Sequence, residues 1–308
     1  AGITITGNST QLTAALVTAE TKAVMANGDV TITDTGTVDA TVLSGIGNIT
    51  GGTVTATGAL TITGTTAELT DALVTSSKLV VASNGSAAVI FKSGDDPSGA
   101  ELAAINPKVG GTITLSNTAQ SFTGTATELA AAFNGFGTNA LSGAIKISAG
   151  TISATELKTI SDATSGAITL PSTNFALEGS SSDIADALSG NFTGYNGAVS
   201  LTDASPTPAN LKIINDASAG TITLNDNAAT FTGSAAVMKA AFAGGFVGTQ
   251  TGDVSISDTS GNIAATTLTD ITAQTNGTVT AASAGITITG NSTQLTAALV
   301  TAETKAVM

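Results

Sequence analysis

The sequence predicts a repeat solenoid, namely a β-solenoid with short α-helices in each coil (an αβ solenoid), as one continuous array over residues 1–308. Three observations favour it: a long repeat, a shorter repeat inside it, and helix-capping patterns at recurring places. In such an array each repeat contacts mainly its neighbours, so no closed core is required.

The long repeat is visible at the two ends of the chain. The segment at residues 1–25, AGITITGNSTQLTAALVTAETKAVM, recurs without change at residues 284–308, which sets a 283-residue period. Residues 1–25 and 284–308 are therefore the same segment of successive periods. We expect the chain to be a fragment of a longer tandem-repeat protein.

Two independent anchors divide one period into five roughly 55-residue units. The first is a Leu-x-x-Ile pair followed six positions later by a glycine, at Gly52, Gly111, Gly166, Gly220 and Gly277. The second is a glycine followed five positions later by a large apolar residue, at Gly64, Gly124, Gly179, Gly233 and Gly290. Both sets advance by nearly the same steps, which indicates a true structural repeat.

The fourth unit illustrates the elements expected in order. Residues 198–202 alternate apolar and polar side chains, which is typical of a half-buried strand. Residues 206–216 should form a short helix, because Leu211 and Ile214 are three apart and the prolines suit its first turn. The remaining elements are strands at 221–224 and 230–232 and a helix at 234–243. We expect two coils per unit, although the sequence leaves one coil open.

Recurring capping boxes support the short helices. The pattern Ser/Thr-x-x-Glu occurs at Thr65, Thr125 and Ser153, where each hydroxyl would accept a bond from the helix backbone. Helices of about 7–12 residues are too short to be stable alone. They must therefore be held by packing onto neighbouring strands.

The strand after each first-anchor glycine places an apolar residue at an equivalent position. These residues, expected to form one inward ladder, are Val54, Ile113, Ile168, Ile222 and Val279. Threonines flank four of the five, which predicts a Thr-x-Thr array on the outer side.

The repeat resembles a known family. The pattern Ala-Thr-x-Leu-x-x-Ile-x-x-Ala-Thr-x-Gly-x-Ile at 154–168, followed by a Thr-Gly-capped helix such as 123–133, is similar to the repeats of giant extracellular proteins of marine cyanobacteria. The best-known kind is a cell-surface protein needed for swimming without flagella. The resemblance implies a secreted, surface-associated, very long repeat chain, and it carries over no catalytic residue.

Composition disfavours several classes of function. A net charge of −13 with only nine basic residues disfavours nucleic acid as a partner. The chain has no Cys and no His, so it lacks thiol nucleophiles and the commonest general base. No apolar run approaches the ~18 residues of a membrane helix. We therefore expect a soluble protein with no enzyme activity and no membrane insertion, and the resemblance implies an extracellular or cell-surface location.

Three aspartates at equivalent strand ends are the candidate metal ligands. They are Asp34, Asp203 and Asp258. Stacked carboxylates could hold calcium, which takes six to eight oxygens. The alternative is turn capping, since Asp often bonds nearby backbone after a strand. Apart from calcium, no cofactor is expected.

The predicted function is mechanical. We expect a long extracellular filament or cell-surface fibre, built by stacking of tandem repeats. Its partners would be neighbouring copies of the same repeat, covalent or lateral, and also the cell envelope or other filaments. The alternative is an adhesin-type, ice-binding or glycan-binding solenoid that uses the Thr-rich face.

Overall fold

The computed structural model describes residues 3–18, 27–75, 79–81, 87–138, 140–148, 152–171, 175–190, 195–244, 246–281, 283–300 and 306–307. Over these residues the chain forms eleven α-helices and twenty strands. They group into two compact units, Ala1–Ser148 with Asp162–Ala167, and Ala149–Ser161 with Ile168–Met308. That the chain is one continuous array stays a prediction.

The first unit alternates short strands with helices. Its strands are β1 (Thr4–Gly7), β2 (Asp29–Ile32), β3 (Thr37–Asp39), β4 (Val54–Ala56), β5 (Thr61–Gly64), β6 (Leu79–Val81), β7 (Ala88–Phe91), β8 (Ile113–Thr114), β9 (Phe122–Gly124) and β10 (Ile145–Ile147). Its helices are α1 (Ser9–Leu12), α2 (Ala40–Gly47), α3 (Thr66–Thr70), α4 (Gly99–Ile105) and α5 (Ala126–Phe133). Single π-helical turns continue α1 over Thr13–Val17 and α3 over Asp71–Thr75.

The second unit repeats the same alternation. Helix α6 (Ala154–Ala163) has residues in both units. The later strands are β11 (Ile168–Thr169), β12 (Leu177–Gly179), β13 (Val199–Leu201), β14 (Ile222–Thr223), β15 (Phe231–Gly233), β16 (Val254–Ile256), β17 (Gly261–Ala264), β18 (Val279–Thr280), β19 (Ile286–Thr289) and β20 (Ala306–Val307). The later helices are α7 (Ser181–Leu188), α8 (Pro208–Ala217), α9 (Ala235–Phe242), α10 (Ala265–Thr272) and α11 (Ser292–Leu299).

The described strand pairs are parallel, and their register shows how many residues separate paired strands along the chain. The shortest separation along the chain is that between the paired residues Leu177 and Val199, and the separation between Thr61 and Ala88 is among the longest. Both separations are about half of a 55-residue unit. Each 55-residue repeat unit therefore contributes two strand–helix segments. Parallel strands need such a crossover segment between them.

The predicted β-solenoid is wrong. The described residues form a mixed α/β fold whose strands are two to four residues long. These strands pair in six separate parallel sheets, each of two to four strands. Because each sheet stops after a few strands and helices take up much of the chain between them, no continuous β-coil is built.

The predicted single inward ladder of apolar residues is also wrong. Ile113 pairs with Val89 in one sheet, and Ile222 pairs with Val199 in another. The strand of Ile168 belongs to a third sheet. Each predicted ladder strand pairs with a strand from the other half of a 55-residue repeat unit. Equivalent residues of successive repeat units therefore do not stack directly on one another.

The apolar anchors nevertheless form the core. All ten leucines and isoleucines of the first anchor have 0% of their surface exposed: Leu43, Ile46, Leu102, Ile105, Leu157, Ile160, Leu211, Ile214, Leu268 and Ile271. Each Leu-x-x-Ile pair lies on one helix and faces inward, because residues three apart share a helix face. The anchor pattern thus marks helix packing correctly.

A hydroxyl and a glycine form a tight corner where several strands begin. Thr275 Oγ1 donates a hydrogen bond to the Gly252 carbonyl at 2.7 Å and accepts one from the Gly277 amide at 2.9 Å. A Cβ at Gly277 would lie 2.2 Å from the Gly252 carbonyl oxygen. The first-anchor glycine is therefore required by close backbone approach.

The elements predicted for the fourth 55-residue repeat unit are confirmed, with each end within two residues of its predicted position. The expected strand at 198–202 is β13, and the expected helix at 206–216 is α8. The expected helix at 234–243 is α9. Helix α8 begins at Pro208, where the absent amide proton removes no intrahelical bond.

Candidate functional site

The three calcium candidates lie at helix N-termini. Asp34, two positions beyond β2, accepts hydrogen bonds from the Ser9 amide at 2.6 Å and the Ser9 hydroxyl at 2.9 Å. Asp203 does the same for Ser181, with distances of 2.9 Å to the amide and 2.6 Å to the hydroxyl. Each carboxylate therefore caps the helix that precedes its own strand.

Asp258 and a fourth aspartate complete this set. Asp258 accepts a bond from the amide of Ala235, the first residue of α9, at 2.6 Å. Asp95 accepts one from the amide of Thr66, the first residue of α3, at 2.6 Å, and another from the Thr66 hydroxyl. Asp95 lies four positions beyond the end of β7, whereas Asp34 and Asp203 lie two positions beyond the ends of their strands, so the sequence pattern does not place it with them.

These aspartates add a second cap to helices that already have one. In α7, for example, the Ser180 hydroxyl accepts from the Asp183 amide while Asp203 accepts from the Ser181 amide. Unpaired amides and the positive end of the helix dipole both favour a carboxylate there. Since the carboxylate arrives from the next strand, the contact ties two consecutive strand–helix segments together.

The structure does not bring the candidates together as one ligand set. Asp203 and Asp258 lie at the starts of different helices, α7 and α9. Within the described ranges there is no group of three or more His, Cys, Asp or Glu side chains suited to a metal ion. Calcium binding stays a prediction, and the capping role is what the geometry supplies.

Lys92 joins the N-termini of two helices. Its Nζ lies 2.7 Å from Glu68 of the α3 capping box and 3.0 Å from Asp39, the N-cap of α2. The Lys92 ammonium lowers the pKa of Glu68, and the two carboxylates raise the pKa of Lys92. Hydrogen bonds from the Thr41 hydroxyl and amide have the largest lowering effect on the pKa of Asp39, and the Lys92 ammonium lowers it further. All three groups stay charged at neutral pH, which suits a structural clamp.

Tyr195 is a core residue. Its side chain is only 1% exposed and its ring meets that of Phe175 edge-on, with 5.2 Å between centroids. The hydroxyl lies 2.9 Å from the Phe175 carbonyl and 3.0 Å from that of Ala198. Burial raises the pKa of Tyr195 to about 12. The phenol therefore stays protonated at neutral pH and contributes to packing.

A cavity of about 500 Å³ lies in the second compact unit. It is lined mainly by small side chains of α9 and β17, together with Asp258 and Lys239. Asp258 caps α9, and Lys239 forms an ion pair with Asp270 at 2.8 Å. Asp216, which also lines the cavity, forms an ion pair with Lys212, so all three charged groups at this cavity are engaged in structural contacts.

The predicted Thr-x-Thr array is divided among sheets. Thr53 and Thr55 flank Val54 in the sheet that contains β4, while Thr112 and Thr114 flank Ile113 in the sheet that contains β8. In each of these two pairs the first threonine is exposed. Binding through a Thr-rich face stays a prediction, because neither sheet carries two of the pairs in register.

The two identical 25-residue segments expose different faces, and we name them the N-terminal copy (residues 1–25) and the C-terminal copy (residues 284–308). Ile3 of the N-terminal copy is 74% exposed, whereas its equivalent Ile286 is 9% exposed. Strand β17 covers the C-terminal copy through parallel pairing with β19, which places Gly261 opposite Ile286. The difference arises from neighbours, since the two sequences are the same.

The opposite face shows the reverse pattern. Leu12 and Leu16 of the N-terminal copy are fully buried, while the equivalent Leu295 and Leu299 are only partly buried. Helix α2 packs on α1 and on the π-helical turn that continues it, and thus covers the first copy. Val300, at the end of α11, is 73% exposed. The C-terminal copy therefore presents an apolar face that its twin keeps covered.

No protein-family model matches the chain, and no curated protein or solved structure matches it. The resemblance to cyanobacterial surface proteins and the absence of enzyme activity therefore stay predictions. None of the described helices combines the length and apolar character that crossing a lipid bilayer requires.

Proposed function

We propose that this chain is a structural protein that forms a long extracellular filament or cell-surface fibre from successive 283-residue periods. The observation that carries the proposal is the pair of complementary faces on identical segments. One copy leaves Ile3 uncovered where the other covers Ile286, and the other leaves Leu295 partly uncovered where the first buries Leu12. A period followed by another period would therefore meet the contacts it already makes internally.

The internal contacts are of a kind that can be repeated. Parallel strand pairing, an aspartate cap from the next strand and a buried Leu-x-x-Ile pair recur along both units. Nearest-neighbour contacts of this sort add up with each further repeat. Stability would therefore not limit the number of periods in such a fibre.

An extracellular place for this fibre is supported by the resemblance and by composition. The chain is acidic, has no cysteine and is rich in small residues. Repeated packing could replace the disulfides that small secreted domains often need.

Immunogold electron microscopy of the source cells tests the proposal. Antibodies raised against this chain should label fibres or a coat on intact cells without permeabilisation. A matched serum depleted with the purified protein should give no label. Label confined to permeabilised cells would contradict an extracellular structural role.

A further inference from the structure

We infer that a cavity of the first unit binds a small organic ammonium ion, through oxygen atoms of helix α4 and of the turns that precede α4 and β9. The cavity measures about 470 Å³, and we name it the α4–β9 cavity. Its polar lining includes Asp96, Ser98, Glu101, Asn117, Gln120 and Thr123. The site lies within one unit and is independent of the proposed fibre.

The side chain of Gln120 is the observation that carries the inference. It is 8% exposed and lies in the cavity wall. Its Nε2 donates a hydrogen bond to the Pro97 carbonyl at 2.9 Å, so Oε1 is the end of the amide that is left for the cavity. Among the described residues this oxygen has no hydrogen-bond partner. A buried acceptor without a partner costs free energy, and it therefore favours a ligand that donates a hydrogen bond.

Two carboxylates add negative charge to the same cavity. Asp96 is exposed, and within the described residues its carboxylate accepts no hydrogen bond and forms no ion pair. Glu101 accepts hydrogen bonds from the Ser98 amide and hydroxyl, at 2.8 Å and 2.7 Å, and both bonds end on Oε2. Each carboxylate therefore keeps an oxygen that can accept from a ligand.

The ligand should bring its own positive charge. No lysine or arginine is among the described residues that line this cavity, whereas the carboxylates of Asp39 and Glu68 share Lys92. An ammonium group carries three donors and no acceptor. Its hydrogen bonds to carboxylates are charge-assisted and stronger than neutral ones. Donor count and charge thus both match the free groups of the cavity.

Two other ligand classes match the cavity less well. Calcium takes six to eight oxygens, while this lining offers two carboxylates in a space much larger than one ion. A neutral sugar could donate to Gln120, but it would leave both negative charges uncompensated. An alkylammonium ion suits the charge, the free acceptors and the volume together.

Titration of the intact chain with putrescine tests the inference. Calorimetry at low ionic strength should show saturable binding that weakens as sodium chloride is added, since salt screens exposed charges. The side-chain amide signal of Gln120 in NMR spectra should shift over the same range of putrescine concentration. Binding that leaves this signal unchanged would overturn the site.

Matched substitutions of two buried glutamines locate the binding. Gln120→Leu removes the free oxygen and should weaken putrescine binding about tenfold or more, as expected for the loss of a hydrogen bond to a charged group. Gln250→Leu is the control, because Gln250 is 1% exposed, also has an unpartnered Oε1 and lies outside this cavity. It should leave the affinity unchanged. An equal loss in both variants, or no loss in Gln120→Leu, would contradict the inference.

Asp96→Asn covers the case in which Gln120→Leu does not fold. Asp96 is exposed and has no hydrogen bond to lose within the described residues, so the fold should be unaffected. Putrescine binding should weaken about two- to fivefold, the range for an exposed ion pair, and should depend less on salt. Unchanged affinity and unchanged salt dependence would count against the site.

Two further probes identify the ligand class. Calcium chloride and methyl glucoside, titrated in the same way, should bind much more weakly than putrescine. Saturable binding of calcium or of the glucoside that Gln120→Leu abolishes, with no binding of putrescine, would overturn the ammonium assignment.

Discussion

At the scale of the residue, the recurring aspartates act across segments rather than within their own turn. Asp34 and Ser9 are far apart in sequence, yet they share two hydrogen bonds. The sequence showed that such aspartates recur at strand ends, but a local pattern cannot show which distant amide is near. Only the parallel pairing of β1 with β2 places that amide within reach.

Replacing one of these caps should cost stability without any dependence on metal. Asp203→Ala should lower the free energy of unfolding by about 1 kcal/mol, the usual cost of losing an N-terminal cap. The control Asp216→Ala removes only an exposed ion pair with Lys212 and should change it by less than about 0.5 kcal/mol. Urea denaturation measures both.

A calcium site at Asp203 would give a different result. The loss on substitution would then appear only with calcium present, and a chelator would lower the unfolding midpoint of the intact chain. Equal midpoints with calcium and with chelator would support capping alone.

The corner glycines give a second prediction at this scale. In Gly220→Ala the new Cβ would lie 1.9 Å from the Gly197 carbonyl oxygen, so the backbone must shift. We expect a loss of at least about 3 kcal/mol in urea denaturation. The control Gly36→Ala meets no atom within 4 Å and should be neutral or stabilising by up to about 1 kcal/mol.

A Gly220→Ala protein as stable as the intact chain would show that the two strand starts are not in close contact. The contact between Gly220 and Gly197 would then be wrong.

At the scale of the element, helix starts were the most predictable feature. The boxes at Thr65, Thr125 and Ser153 form both expected hydrogen bonds, because a capping box depends only on residues three apart. The pairing of strands was less predictable, since strands of two to four residues carry too little pattern to specify a partner. The π-helical turn after α3 left no recognisable signal.

The Lys92 clamp predicts a pH dependence at this scale. Glu68 and Asp39 have lowered pKa values, so their contribution to stability is present above their unfolded pKa values of about 4 and is lost as pH falls through the lower folded values. Lys92 has a raised pKa, so its contribution is present below its unfolded value of about 10.4 and is lost as pH rises through the higher folded value.

The variant Lys92→Met should therefore be less stable than the intact chain near neutral pH, and the difference should shrink in acid. Urea midpoints measured from pH 7 down to pH 2 provide the test. A difference that is constant over this range would mean that Lys92 acts through packing of its aliphatic stem.

At the scale of the whole molecule, the sequence repeat predicted the core but not the sheet arrangement. Every first-anchor leucine and isoleucine is buried, because helical spacing alone places the two on one face. The β-solenoid was wrong since the repeat period does not show where one sheet ends and the next begins. The different burial of the two identical segments has no signal in the sequence, because it depends on the elements that surround each copy.

The two copies allow one substitution to be tested in two environments. Leu12→Ala removes a fully buried side chain and should cost about 2–5 kcal/mol. Leu295→Ala removes the same side chain from a partly buried site and should cost less. Hydrogen exchange of the helix amides in each copy measures the local effect, and equal losses would show that the C-terminal copy is covered after all.

The buried tyrosine has a practical consequence for spectroscopy. Tyr195 is the only tyrosine and the chain has no tryptophan, so near-ultraviolet absorbance and intrinsic fluorescence come almost entirely from one ring beside Phe175. An optical unfolding curve of this protein would thus record the opening of a single place in the second unit. Melting elsewhere would not change this tyrosine signal.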